Sequence, residues 1–365
     1  MTNNGSSGSS TDREVGSTVA PCPLQKQLTN ARWAPTTVKC GDVAQMLANT
    51  QNIEAEVEAN YTVKKTDNTV ITNVNAQTEA NSITGRWTSQ KPDNAWGNPE
   101  IKFTVAADGL TADSQDPQLS FHSYPNIARA PLSQDISANG FTIQQRVLCE
   151  LTDRVLILNV PIKIRKCGRL PSRRKNESWE AWAARWNPSA YRAGRDDLSA
   201  TDKTNLKNAI EAHFRQEKAL HRVACARHAS GCSDPVNRKC CKFEIRVLIH
   251  FYDLSDTSAP AIASTVNYWN DTERANAANW FATDYPANNW VFVHEVGHLL
   301  GFYDEYTGGA TDSTPGTSWQ NAQAFTIDNL MNGNPPQRLE DYYFDYFANW
   351  VGSSTGETWE TQNYV

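Results

Sequence analysis

The 365-residue sequence has no stretch approaching the roughly 20 apolar residues that a membrane-spanning helix requires, so a helical membrane span is not expected. It has no basic excess either. Its 34 Lys and Arg against 40 Asp and Glu leave a net charge of −6. Nucleic-acid binders normally carry surplus positive charge, and that partner class is set aside. The opening residues, MTNNGSSGSSTDREVGST, hold no apolar segment of the kind that directs secretion. Methionine and histidine are scarce, at three and seven residues, so a pattern built from either stands out. What is plentiful is aromatic bulk, with twelve each of Trp, Tyr and Phe. With 39% hydrophobic and 20% charged residues, the composition is that of a globular chain, long enough for two cores.

Eight cysteines pull against the missing secretion signal. Cytosolic chains keep thiols reduced, whereas exported chains pair them. Export without an N-terminal signal reconciles the two. Cys40 and Cys149 both fall in strand-like contexts and are candidates to bridge one sheet pair, although pairing is not deducible from sequence.

Residues 1–21 are rich in Gly, Ser and Thr and read as a flexible leader. Over 22–167 short runs rich in Val, Ile, Thr and Tyr alternate with turn residues. Examples are 54–64 (EAEVEANYTVK), 99–105, 141–151 and 154–165 (RVLILNVPIKIR), with turns at Asp67-Asn68 and Ala107-Asp108-Gly109. This spacing predicts an all-β antiparallel sandwich of immunoglobulin type. Residues 168–175, which end a basic stretch from Lys163 to Lys175, read as a solvated linker. The period then changes. Leu206, Ile210, Phe214, Leu220 and Val223 recur at helical spacing, and Ser199 with Asp202 supplies a start signal. A strand is expected at 243–252, a short helix opening at Asn270 with Glu273, and a last helix carrying Leu339, Tyr343, Phe347 and Trp350. The region 176–365 is therefore expected to be an α+β domain, which makes the chain multidomain.

The segment 290–306 (WVFVHEVGHLLGFYDEY) carries chemistry. His294-Glu295-Val296-Gly297-His298 is an H-E-x-x-H motif. Two His four apart share one helix face and reach one ion, at the usual zinc–nitrogen distance of about 2.0–2.1 Å. Glu295 is better placed for a water than for the metal. By chance, seven His yield such a motif in about one chain in a hundred. Gly301 three residues on, and Asp304 three after that, make accident far rarer. Glycine accepts the positive φ of a chain reversal, which returns Asp304 as a third ligand. Three protein ligands leave one position for water, as in a catalytic zinc site. Glu305, the adjacent carboxylate, is the alternative third ligand.

H-E-x-x-H-x-x-G-x-x-D resembles the extended zinc signature of the metzincin metallopeptidases, in the minority form that ends in Asp. The resemblance covers about 176–365. It implies a zinc peptidase with Zn2+ on His294, His298 and Asp304, and with Glu295 as general base. It also implies a methionine turn beneath the metal. Met331 is the one methionine downstream, within Asn329-Leu330-Met331-Asn332-Gly333. Some members add a Tyr ligand two positions after that Met, and Gly333 stands there instead. A shorter stretch is similar to immunoglobulin-like segments of bacterial type VI secretion proteins. It comprises Leu28-Thr29-Asn30-Ala31-Arg32-Trp33 and Val38-Lys39-Cys40-Gly41-Asp42. This likeness implies an antagonistic effector injected into a rival's periplasm, with spike components and an immunity protein as partners besides a protein or peptide substrate. Two other readings stay open: a spike-extension or adhesion module with a vestigial metal site, and an ordinary secreted protease. His221, Cys225, His228 and Cys232, with Cys240 and Cys241 nearby, form a second cluster readable as disulfides or a structural zinc site. His122, His213 and His250 are read as ordinary fold residues.

Overall fold

A computed structural model describes residues 24–90, 100–122, 124, 126–138, 141–152, 155–178, 181–182, 184–185, 197–215, 217–226, 242–273, 275–304, 330–332 and 338–364. The chain is predominantly β. The first sheet uses β1 (Gln27–Ala34), β3 (Val43–Gln51), β4 (Glu58–Lys65), β5 (Val70–Glu79), β6 (Ser82–Thr88), β7 (Ile101–Ala107) and β8 (Leu110–Asp113). Its order is β1-β3-β6-β5-β4-β7-β8, and β2 (Thr37–Val38) pairs separately with β9 (Ser120–Phe121). Period-two alternation drives it. In β7 every second residue, Ile101, Phe103, Val105 and Ala107, is buried. The ladder folds back on itself, since Gln115 N donates to Ala31 O at 2.8 Å. The enclosed core holds Trp33, Tyr61, Trp87 and Phe103. Two of them place their polar tips on backbone carbonyls: Trp33 Nε1 donates to Ile101 O and Tyr61 Oη to Ile83 O. The Asp67-Asn68 and Asp108-Gly109 turns have positive φ at Asn68, Asp108 and Gly109.

The second sheet uses β10 (Ile127–Ala138), β11 (Phe141–Thr152), β12 (Val155–Cys167), β13 (Lys218–Arg222), β14 (Lys242–Asp253), β15 (Ser264–Trp269), β16 (Asn279–Phe281) and β17 (Trp359–Asn363). Its main path is β10-β11-β12-β14-β13-β17, with β15 on β12 and β16 on β15. Helices α1 (Ala200–Phe214), α2 (Asn289–Leu300) and α3 (Asp345–Thr355) accompany it. Leu206, Ile210 and Phe214 of α1 and Phe292, Val293 and Val296 of α2 share one core with Leu156, Leu158, Val160 and Ile162 of β12.

The two sheets divide the chain differently from the expected boundary at 167. The runs at 141–151 and 154–165 were expected in the sandwich, but they belong to the second sheet. There β12 pairs in parallel with β14 over ten residues, from Val155↔Glu244 to Ile164↔Asp253. The physical reason is two-faced burial. Leu158, Asn159, Val160, Pro161 and Ile162 are all buried in succession, as suits a central parallel strand rather than a sandwich strand with one wet face. The other side of β12 changes partner midway. Residues 155–159 pair with β11 and 162–167 with β15. Pro161, which has no N–H to give, sits between the two ladders. Lys163, Arg165 and Lys166 are accordingly strand residues, and the stretch after Cys167 begins outside regular structure.

Three smaller expectations are also corrected. Helix α1 stops at Phe214, and Leu220 lies in β13, because the chain turns extended at Arg215 (ψ 119°). No helix opens at Asn270, whose N–H is shared between the carbonyls of Cys167 and Gly168. Cys149 is a buried thiol of the second sheet, its pKa pushed up to about 12 by burial, and does not bridge to Cys40. Cys40 is disulfide-bonded.

Arg222 joins the two parts. It is almost fully buried and donates to the carbonyl of Cys40 at 2.9 Å and to the carboxylate of Asp42. Lys39 pairs with Glu357 across the same junction.

Candidate metal centre

Helix α2 places the H-E-x-x-H residues, and its ending places the third carboxylate. Gly301 has φ 97°, the left-handed conformation that only glycine adopts without a Cβ clash. Gly301 N donates to His298 O at 3.0 Å and Phe302 N to Gly297 O at 2.9 Å. These are the two bonds of a Schellman ending. The chain therefore reverses at Gly301, and Asp304 comes back to the face carrying both histidines.

His294 Nε2 lies 3.0 Å from Asp304 Oδ1, and His298 Nε2 lies 3.3 Å from the same oxygen. The other ring nitrogens are occupied. His294 Nδ1 donates to Leu330 O at 3.0 Å and His298 Nδ1 to Phe302 O at 2.9 Å. A carbonyl can only accept, so both Nδ1 atoms carry protons. Nε2 of each ring faces Asp304 Oδ1, donates to it while protonated, and presents a lone pair to the centre of the cluster once that proton is lost. The ligand atoms of His294, His298 and Asp304 all lie within 4.8 Å of one another. Tetrahedral zinc with bonds of about 2.0–2.1 Å separates its ligand atoms by roughly 3.3 Å. The observed 3.0 and 3.3 Å fit that spacing, and two imidazoles with one carboxylate suit zinc.

The electrostatics are those of a tightly coupled group. Burial opposes a charge on His298, but the Asp304 hydrogen bond and the Glu295 and Asp304 charges prevail and push its pKa up to about 9. Burial likewise disfavours the Asp304 carboxylate. The hydrogen bonds from His294 and His298 overcome this and hold it well below the usual range. Glu295 is buried on α2 and near enough for its charge to act on His298.

Met331 packs directly under the helix. A Cβ on Gly297 would stand 2.8 Å from Met331 Sδ and 3.1 Å from Phe302 Cδ2. Met331 and Leu330 are both fully buried, and Met331 N donates a long hydrogen bond to Tyr343 Oη at 3.4 Å. The same short segment therefore orients His294 through a carbonyl and fills the space below Gly297 with a thioether. Glu305, the alternative ligand, lies outside the described residues, as does Gly333.

A cavity of about 600 Å³ opens beside the cluster. His298, Leu299, Tyr303 and Asp304 line one side, and Gln144 and Arg146 of β11 with Ser264 and Thr265 of β15 line others. It occupies the wedge where β12 exchanges β11 for β15. Gln145 anchors this wall. Its buried Nε2 donates to Leu300 O at 2.8 Å, the last residue of α2. Sequence reasoning assigned no role to Gln145, Arg146 or Gly297. The glycine between the two His was the one local signal, and the others come from a hairpin far away in sequence.

Of the second cluster, His221 is buried with Nδ1 against Gln362 Oε1 at 2.9 Å, and Cys225 is buried beside Gly41. His228, Cys232, Cys240 and Cys241 lie outside the described residues. His250 Nε2 meets Asn159 Oδ1 at 2.8 Å, a pairing within the second sheet. No protein-family model matches the chain, and no curated protein matches it.

Proposed function

We propose that the chain is a zinc-dependent endopeptidase of metzincin type. The second sheet with α1–α3 is read as the catalytic domain and the first sheet as an immunoglobulin-like sandwich for docking or delivery. One observation carries this reading. Two histidines, each fixed by a backbone carbonyl at Nδ1, turn Nε2 toward one carboxylate oxygen at 3.0 and 3.3 Å. His294, His298 and Asp304 would hold the ion. Zinc bound there supplies Lewis acidity, polarising a substrate carbonyl and activating water. Glu295 is a carboxylate on the same helix turn and the general base of the proposal. It takes a proton from the attacking water and delivers it to the leaving amine. Leu330 O and Phe302 O keep both rings in the tautomer the reaction needs. The cavity beside His298 accepts the peptide.

The type VI effector role, with a spike partner, an immunity protein and action in a rival's periplasm, is carried forward as a proposal on the likeness of residues 28–42 alone. The deciding experiment uses the purified full chain. Zinc at one ion per chain, hydrolysis of an unfolded protein, loss with chelator and recovery with zinc are expected. A zinc-loaded protein that cleaves no unfolded substrate would leave a vestigial or structural metal site.

A further inference from the structure

The end of α2 is held by more than its own turn. The last carbonyls of a helix have no intrahelical partner, and buried ones take a donor from elsewhere. Gly297 O takes the N–H of Phe302, and His298 O takes that of Gly301. Phe302 O, just past the reversal, takes Nδ1 of His298. Leu300 O instead takes a side chain from another element, Nε2 of Gln145 at 2.8 Å. The chain turns toward Asp304 at the Leu300–Gly301 peptide. Both ends of that peptide are therefore tied, its N–H to His298 O and its carbonyl to Gln145.

The place of Gln145 on β11 is unusual for a polar residue. Every second residue of this strand points into the core: Gln145, Val147, Cys149 and Leu151 are all buried. An apolar side chain would suit the first position as it suits the other three. An amide placed there can do what an apolar group cannot, which is to donate to a buried carbonyl. Strand β11 pairs with β12 only through Leu148–Thr152, so Gln145 sits on the arm that has already left β12. Its neighbours Gln144 and Arg146 line the cavity. The bond to Leu300 O thus joins the wall of the cleft to the turn that carries the candidate third ligand.

We propose that Gln145 is a positioning residue of the metal centre: by holding Leu300 O it sets where Asp304 meets His294 and His298. The proposal rests on the metal-binding part of the reading above and on no particular substrate. The test uses the full chain, with zinc as the probe and affinity read by competition with a chelator. Gln145→Met keeps the size of the buried side chain and has no N–H to give. Its zinc affinity should fall by about 10- to 100-fold, the usual effect of losing a partner that orients a ligand. That loss should run through Asp304. Added to Asp304→Ala, Gln145→Met should lower affinity by no more than about a further threefold, since groups that act through one another are not additive. Zinc should also slow amide exchange across 143–147 in wild type, and Gln145→Met should abolish that slowing while it persists over 294–304. Affinity in Gln145→Met within about threefold of wild type overturns the proposal, as does a full additive loss in the double variant. If Gln145→Met does not fold, the wild-type exchange decides, and amides of 143–147 that ignore zinc overturn it. Wild-type protein that takes up no zinc refutes the metal-centre reading itself.

Discussion

His294 donates its Nδ1 proton to the carbonyl of Leu330 at 3.0 Å, and the next residue, Met331, fills the space under Gly297, less than one helical turn from His294. One short segment thus sets the tautomer of His294, a candidate ligand, and packs against the helix that carries it. Outer partners of this kind typically change metal affinity 10- to 100-fold when lost. Because backbone carbonyls do the orienting, point substitutions of neighbouring side chains should separate metal binding from catalysis.

Glu295→Gln should do so. It keeps the size of a buried residue and removes the basic oxygen. Activity should fall by about 10²- to 10⁴-fold, the usual contribution of a general base. Zinc stoichiometry should remain that of wild type. Metal analysis alongside a peptide assay measures both, and full activity in this variant would remove the mechanism.

Asp304→Ala takes away an oxygen that both Nε2 atoms face. Zinc affinity, read by competition with a chelator, should drop by more than the roughly 100-fold of an outer-shell loss. Affinity within tenfold of wild type would transfer the third-ligand role, with Glu305 the next residue to test.

Protons and zinc compete for the same nitrogens. The pKa of His298 is pushed up to about 9, so below that pH the ring holds a proton that the metal must displace. Apparent zinc affinity should therefore rise with pH across the neutral range and level off above about 9. Titration calorimetry at pH 7 in buffers of differing ionisation enthalpy should show net proton release. No release would mean that His298 is already neutral there.

Gly297→Ala tests the packing under the helix. The added methyl meets Met331 Sδ at 2.8 Å, and Met331 is fully buried. Overpacking of this kind costs about 1–3 kcal/mol. The denaturant midpoint of the chelator-treated protein should fall accordingly. A midpoint unchanged from wild type would show that Met331 can move aside freely.

What the sequence disclosed and what it withheld follow from locality. His294, Glu295, His298, Gly301 and Asp304 lie within eleven positions, and helix geometry plus one glycine reversal converts their spacing into a place in space. The strand runs read at 54–64, 99–105 and 243–252 overlap the observed strands Glu58–Lys65, Ile101–Ala107 and Lys242–Asp253 for the same reason, since alternation is local. Membership of a sheet is not. Alternation in 141–151 tells which residues face a core but not which core, and Gln145 and Arg146 reach the metal cleft only because β11 pairs with β12. A clue did exist in RVLILNVPIKIR, whose apolar run is too continuous for a strand with one wet face. The helix expected through Leu220 failed because Leu220 keeps the helical spacing by coincidence while serving β13.

The same correction yields the last prediction, on fragments. A cut at 176 keeps His294, Glu295, His298, Asp304 and Met331 but deletes β10, β11 and β12. Strand β12 lies between β14 on one side and β11 and β15 on the other. Leu156, Leu158, Val160 and Ile162 are each fully buried against the core that includes Phe292 and Val296. Burying one such side chain is worth about 1.5–3 kcal/mol, and a whole domain has only about 5–15 kcal/mol to lose. Fragment 176–365 should therefore be unfolded, with no far-ultraviolet signature of a cooperative transition and no stoichiometric zinc. Fragment 122–365 keeps the entire second sheet and should fold and bind one zinc. It should be less stable than the full chain, because removing Cys40 and Asp42 leaves buried Arg222 with Glu357 at 4.0 Å in place of a carbonyl and two carboxylates, and Glu357 loses Lys39. A folded, zinc-binding 176–365 fragment would show that β12 is dispensable and that the catalytic unit begins after it.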